Sequence, residues 1–333
     1  MRNFRKVAGG AVVLALALGA CSPGAGNQTP SPAASQPLGT ASPTTAANSL
    51  ASTFILGGPP ECPQRPFCMI GLRETYGLEF KEFKPLDTGG PITVEALANN
   101  EVQVAVLFSS DPVIPARDFV ALEDDRDLMR ADNLVPVVHA QLIEQNPVIA
   151  DLLDTVSALL SQDALVELNR QSTEDRMDPE DIAATFLEQE GLLGEADPSA
   201  GQGVELTVGR TNFYEQDILA ELYAQILEVN GFTVARQDAS GTREVVFPAL
   251  ESGQIDILPE YAATVLEYVN GGAGQATADA QETTELLRAA LEPRGLTALE
   301  PAEAANQNAI VVRQDTADQY GLEMISDLGQ PAP

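Results

Sequence analysis

The chain has 333 residues, with 49 acidic side chains against 18 basic ones and a single histidine, for a formal net charge of −31. Such a surface is a poor partner for nucleic acid or anionic lipid and is easier for a cation or a zwitterion to approach. Three cysteines and one histidine leave little from which to build a metal centre.

The N-terminus carries Arg2, Arg5 and Lys6 ahead of an apolar run from Val7 to Ala20. That run is too short for a membrane span and fits a secretory signal peptide over residues 1–20. It closes as Leu18-Gly19-Ala20-Cys21, which resembles the lipobox of bacterial lipoproteins. Cys21 is then the acylated new N-terminus. Apart from Leu38 and Leu50, residues 22–52 are small, polar or proline, and 21–52 read as a lipidated cysteine with a disordered tether. The folded part is expected outside the cytoplasm, anchored by lipid to the outer face of the cell membrane.

The stretch GGPPECPQRPFC follows at 57–68. Two thiols in so proline-rich a segment could form a metal site, a redox pair or a structural bridge. With Cys21 taken by lipid, two thiols remain in an oxidising compartment. Cys62 and Cys68 are therefore expected to form a disulfide, worth about 2 kcal/mol over so short a loop. No metal is expected, because His139 is remote in sequence.

Along the first half, TFILGG reads as a strand, 69–76 as a short helix, EFKEFKPL as a strand, PITVEALANN as a helix and VQVAVLFSS as a strand. Three helices are expected from about Pro147, Asp163 and Pro179, then a linker at 196–203. In the second half VELTVG, FTVARQ and IDILPEY are strands. Ile218, Leu219, Leu222, Ile226 and Val229 recur at helical spacing, with Gly231 as a stop, and TREVVFPALESG is a further helix. A helix near 280–291 and the strand NAIVV at 308–312 complete the chain.

The halves share a plan. ALANNEVQVA (96–105) matches ALESGQIDIL (249–258), Phe80 matches Phe232, and FILG (54–57) matches LTVG (206–209), all at an offset of 152 to 153 residues. Strands alternating with helices predict two lobes, each a mostly parallel sheet flanked by helices. Ligands in such sheets bind beyond the carboxyl ends of the strands, here at 57–61, 87–90, 109–112, 210–213, 239–241 and 259–264. Two lobes facing each other across these ends would enclose one cleft.

VGRTNFYEQDILAELYAQILE, VVFPALESGQIDILPEYAAT and GGPPECPQRPFC resemble the substrate-binding proteins of bacterial osmoprotectant ABC transporters. The resemblance spans about 53–329. It implies a type II periplasmic-binding-protein-like fold and uptake of glycine betaine, choline or carnitine. The block order differs from the family's and looks circularly permuted. On that reading 53–145 form one lobe, joined by 305–329, while 146–195 pack as helices on the other lobe, 204–304.

The resemblance also implies a site. Thr211 stands where the family often has lysine, within Arg210-Thr211-Asn212-Phe213. Tyr261 and Thr264 match a pocket tyrosine and threonine, Asn308 stands where many members have a cage tyrosine, and Asp111 lies in a pocket loop. An aromatic that many members carry is lacking in 129–133. Tyr261, with Phe213 or Tyr214, is left to face a quaternary ammonium, and Arg210 or Arg65 would replace the missing lysine.

Several have a plainer alternative. Tyr261 could simply pack at a strand end, Thr211 and Asn212 could cap the following helix, Asp111 before Pro112 could make a turn or cap, Glu123-Asp124-Asp125 reads as a solvated acidic turn, and His139 as structural. The expected partners are a small polar solute, a permease and the membrane, without nucleic acid or cofactor. No catalytic motif is found, and no enzyme is expected. The rival reading is a lipid-anchored sensor of a different small polar ligand.

Overall fold

The structure, a computed structural model, describes residues 48–194, 196–237 and 241–333. The leader, Cys21 and most of the tether lie outside the described residues, as do 239 and 240 of the strand-end loop expected at 239–241.

In chain order the elements are β1 (Ile55–Gly58), α1 (Gly71–Tyr76), β2 (Glu82–Pro85), α2 (Pro91–Ala98), β3 (Val104–Phe108), α3 (Val113–Ala116) and β4 (Phe119–Ala121). Next come β5 (Leu134–His139) and the helices α4 (Ala140–Gln145), α5 (Val148–Leu159), α6 (Gln162–Thr173) and α7 (Pro179–Gln189). The second half gives β6 (Glu205–Val208), α8 (Gln216–Val229), β7 (Thr233–Arg236), α9 (Arg243–Glu251), β8 (Ile257–Tyr261), α10 (Ala262–Val269), α11 (Ala280–Leu291) and β9 (Leu296–Ala298). Finally β10 (Asn308–Arg313) and α12 (Gln314–Tyr320) return.

The described residues form two five-stranded sheets, ordered β2-β1-β3-β10-β4 and β7-β6-β8-β5-β9. In each, four strands run one way and the fourth in order runs against its neighbours. Apolar side chains cover both faces of each sheet. In the second lobe α5 to α8 supply one face, through Ile149, Leu153, Ile182 and Leu222, and α9 to α11 the other, through Phe247, Leu266 and Leu287.

The lobe boundary differs from the expected one at 145. Strand β5 pairs with β8 and β9, so the first lobe ends before Leu134. Leu134 to Val138 are all buried, and a strand so continuously apolar has to sit inside a sheet with both faces covered. Strand β10 pairs with β3 and β4 and so belongs to the first sheet. The chain therefore crosses between lobes twice, at 122–133 and 299–307. These crossovers run beside each other: the Leu134 N–H donates to the Ala304 carbonyl (2.9 Å) and the Asn306 N–H to the Asp132 carbonyl (3.1 Å).

The last residues of the expected tether are docked: Leu50 is 1% exposed within the first lobe's core, and its N–H donates to the Gln330 carbonyl at 2.7 Å. Leu50 is the apolar residue near the end of that polar segment, and burying it outweighs the tether's polarity. The 196–203 linker is likewise docked: the Asp197 and Gly201 N–H groups donate to the side chain and backbone of Asn230, each at 2.8 Å. Gly231 permits this, with φ of 88° and the Pro198 carbonyl packed where a Cβ would lie. Cys62 and Cys68 are joined by a disulfide, with Cα atoms 5.3 Å apart. His139 is a structural residue, its Nε2 lying 2.7 Å from the Leu250 carbonyl. In the acidic turn Asp124 accepts from Tyr76 Oη at 2.5 Å and from the Leu128 and Met129 N–H groups.

Leu50→Ala should cost about 2–4 kcal/mol of unfolding free energy and lower the midpoint of chemical denaturation accordingly; a leucine in a loose tether would leave it unchanged.

Candidate functional site

The carboxyl end of β3 in one sheet, and those of β6 and β8 in the other, meet at the crossovers. Phe108 ends β3 and Tyr261 ends β8. Between them lies a cavity of roughly 300 Å³, lined by Phe108 of the first lobe, by Thr211, Asn212, Phe213, Arg243, Tyr261 and Thr264 of the second, and by Asp132 and Asn306 of the crossovers. The Phe213 ring stands edge-on to Phe108 (5.7 Å) and to Tyr261 (6.0 Å) and tilts over Tyr214 (4.6 Å). Edge-on packing of this kind is a favoured arrangement of aromatic pairs.

The polar part of the wall is built from carboxylates and their partners. Asp132 accepts from the Thr264 N–H at 2.8 Å and from the Thr264 hydroxyl. Burial raises its pKa to about 6, although Thr264 and the charge of Arg243 oppose that rise. Arg243 binds the fully buried Glu260 through three contacts of 2.7 to 3.0 Å. Burial works against the Arg243 charge, but Glu260 outweighs it and raises the guanidinium's pKa. Burial also lifts the Tyr261 phenol well above its ordinary value, reinforced by the nearby Glu215 charge and by the hydrogen bond to it.

Two further cavities adjoin this one. A cavity of roughly 380 Å³ shares Phe108, Asp132, Thr264 and Asn306 and adds Arg65, Phe67, Arg130 and Asn308. Another, of roughly 650 Å³, shares Phe108 and Phe213 and adds Asp111, Glu174 and Tyr214. Contacts close the lobes beside it: Tyr214 Oη lies 2.8 Å from Ser110 Oγ, and Asn169 Nδ2 donates to the Ser110 carbonyl at 3.0 Å.

Over residues 43–189 and 204–333 the sequence matches the family OpuAC, the substrate binding domain of ABC-type glycine betaine transport system. The chain belongs to this family. It is 28% identical over 154 residues to a glycine-betaine-binding protein of Pseudomonas aeruginosa, covering 46% of this chain and 48% of that one. It is 32% identical over 117 residues to the glycine betaine-binding protein YehZ of Escherichia coli (35% and 38% of the two chains). Over 116 residues it is 23% identical to the carnitine transport binding protein OpuCC of Listeria monocytogenes (35% and 37%). The chain thus spans about half or less of the length of these curated relatives. Among solved structures, apo YehZ from Escherichia coli aligns with a TM-score of 0.38 at 13% identity, over 81% of this chain and 84% of that one.

Of the residues singled out in the sequence, Thr211, Asn212, Phe213, Tyr261 and Thr264 line the central cavity. Asn308 and Asp111 do not. Asn308 donates to the Phe67 carbonyl at 3.0 Å in the adjoining cavity, because β10 places it opposite Phe108. Asp111 accepts from the Val113 N–H at 3.0 Å and faces Tyr214 and Glu174 in the third cavity, where burial raises its pKa. Thr211 and Asn212 do not cap α8, whose N-cap is Glu215; instead the Asn212 N–H bonds the Gly241 carbonyl at 2.9 Å. Arg210 cannot replace a cavity lysine: it pairs with Asp217 beside a separate surface pocket. Arg65 does reach the adjoining cavity.

Sequence reasoning missed Phe108, Asp132, Arg243 and Asn306. The internal repeat held the signal for the first. At the offset of 153 that aligns ALANNEVQVA with ALESGQIDIL, Phe108 falls on Tyr261.

Asp132 has its pKa raised from 3.8 to about 6, so the folded chain holds an extra proton between those values. The stability this contributes is present below pH 4 and is lost as pH rises through 6. Asp132→Asn removes the effect while keeping an acceptor for Thr264. The melting temperature of the variant minus that of the parent should therefore be larger at pH 7.5 than at pH 4; a constant difference would contradict the assignment.

Proposed function

We propose that the protein is an extracytoplasmic solute receptor of an ABC importer. It takes a quaternary-amine osmoprotectant, of the glycine betaine or choline type, between its lobes and delivers it to the permease. It acts as a receptor, without catalysis. The observation that carries this reading is the central cavity itself, where Phe108 of one lobe faces Phe213 and Tyr261 of the other with Asp132 alongside. A quaternary ammonium has no N–H to donate, so aromatic faces and a nearby carboxylate are the groups that hold it. The relatives' names, glycine betaine-binding and carnitine transport binding, point to the same ligand class.

Lipid anchoring through Cys21, with the lobes held at the outer membrane face, belongs to the same proposal and rests on the leader sequence. We also read the block order as a circular permutation of the family plan. Supporting this, the segment after residue 329 lies against the segment before residue 53: Leu50 bonds Gln330, and the Ala332 N–H bonds the Asn48 carbonyl at 2.8 Å. A chain joined there would keep the same contacts.

Purified protein titrated calorimetrically with glycine betaine, choline, carnitine and proline should bind at least one quaternary amine and not proline. Phe108→Ala should weaken that binding by about tenfold. Affinity should also fall, by roughly tenfold, as pH drops through 6 and Asp132 gains its proton. Heat-silent titrations with unchanged melting temperature across the panel would remove the osmoprotectant reading.

A further inference from the structure

Behind the aromatic wall lies Glu215, fully buried at the N-cap of α8. Three neutral donors hold its carboxylate. Tyr261 Oη and Asn306 Nδ2 reach Oε1 at 2.7 and 2.9 Å, and Asn169 Nδ2 reaches Oε2 at 2.8 Å. Among the described residues it forms no ion pair, and the cavity's own cation, Arg243, is matched by Glu260. A buried carboxylate without a positive partner is strongly disfavoured. The start of helix α8 offers only a fractional compensating charge.

Two of the three donors, Tyr261 and Asn306, are themselves part of the cavity wall. The carboxylate therefore stands one side chain behind the space a ligand would fill. Because it can only accept, it also fixes both amides with their NH2 groups inward, and the Oδ1 atoms of Asn169 and Asn306 have no hydrogen-bond partner among the described residues.

We propose that Glu215 is the selectivity residue of this receptor, its charge making the cavity prefer a permanently cationic head group over an uncharged group of the same shape. The inference rests on the receptor reading above and adds the residue that decides charge. Glu215 does not touch the ligand. It acts through Tyr261 and Asn306, positioning both and supplying a counter-charge behind the wall in addition to that of Asp132 at the cavity face. A unit charge about 8 Å away through an effective dielectric of about 20 is worth roughly thirtyfold in affinity.

The test compares each quaternary amine with its neutral-headed carbon isostere at pH 7.5: choline with 3,3-dimethylbutan-1-ol, and glycine betaine with 3,3-dimethylbutanoate. The parent protein should favour the cationic head by about thirtyfold or more. Glu215→Gln keeps the size and one acceptor and should cut that ratio about tenfold or more, while leaving affinity for the isostere within about threefold. Glu215→Asp keeps the charge and should retain the ratio even if both affinities fall. A purely structural role would weaken both ligands together, and an unchanged ratio in Glu215→Gln overturns the proposal. Should that variant fail to fold, Asp132→Asn decides, because it removes the charge at the cavity face and leaves that of Glu215: a ratio below about threefold in it is incompatible with a buried counter-charge. A parent that binds no quaternary amine overturns the receptor reading, and this inference with it.

Discussion

The arrangement of the cleft depends on the two crossovers and on the strands they feed. Strands β5 and β10 each leave a crossover and enter a sheet against the direction of its other strands. Each lands beside the strand whose end carries a cavity aromatic: Asn308 opposite Phe108, and Leu134 opposite Tyr261. The same backbone pairing that joins the lobes therefore brings the carboxyl ends of both sheets to one place. Asp132 and Asn306, hydrogen-bonded to each other through their backbones, sit at that junction and complete the wall. Any rotation of one lobe against the other has to pass through these few residues.

Much of the fold could be read in the sequence because periodicity and punctuation agreed. The helical spacing from Ile218 to Val229, the stop at Gly231 and the offset between the halves all correspond to elements now seen. The lobe boundary was not legible in the same way. The apolar run Leu134–His139 announces a buried strand, but no local feature says which sheet receives it; partner choice is made by contacts more than a hundred residues away. The site was partly legible. Thr211 and Phe213, and likewise Tyr261 and Thr264, sit in two short motifs at strand ends, whereas Asp132 and Asn306 come from irregular crossovers whose meeting no short pattern encodes. Asn308 and Asp111 illustrate the converse, since each has the right neighbourhood in sequence and a different cavity in space.

Charge in the cleft follows from how acids are distributed between front and back. Asp132 faces the cavity with its pKa raised by burial to about 6, so its contribution varies with pH. Glu260 is neutralised by Arg243. Glu215 lies deeper, among amides and a phenol. Thr211 brings no charge to the cavity wall, and Arg210 beside it faces away toward Asp217. The remaining guanidiniums near the opening, Arg65 and Arg130, sit together with Phe67 in the adjoining cavity, with Arg130 5.5 Å from the Phe67 ring. An elongated zwitterion would find its opposite charges met in neighbouring compartments.

The topology also imposes an order on self-assembly. Residues from Leu134 to Ala298 contain every strand of the second sheet in one continuous stretch, whereas the first sheet stays open until β10 is inserted between β3 and β4. Phe108 then meets Asn308 across 200 residues of intervening chain. Contacts so distant along a polypeptide form slowly and late. A chain emerging N-terminus first therefore builds the later lobe before the earlier one is finished, and the unfilled slot beside β3 is a place where a chaperone or an unwanted strand could intervene.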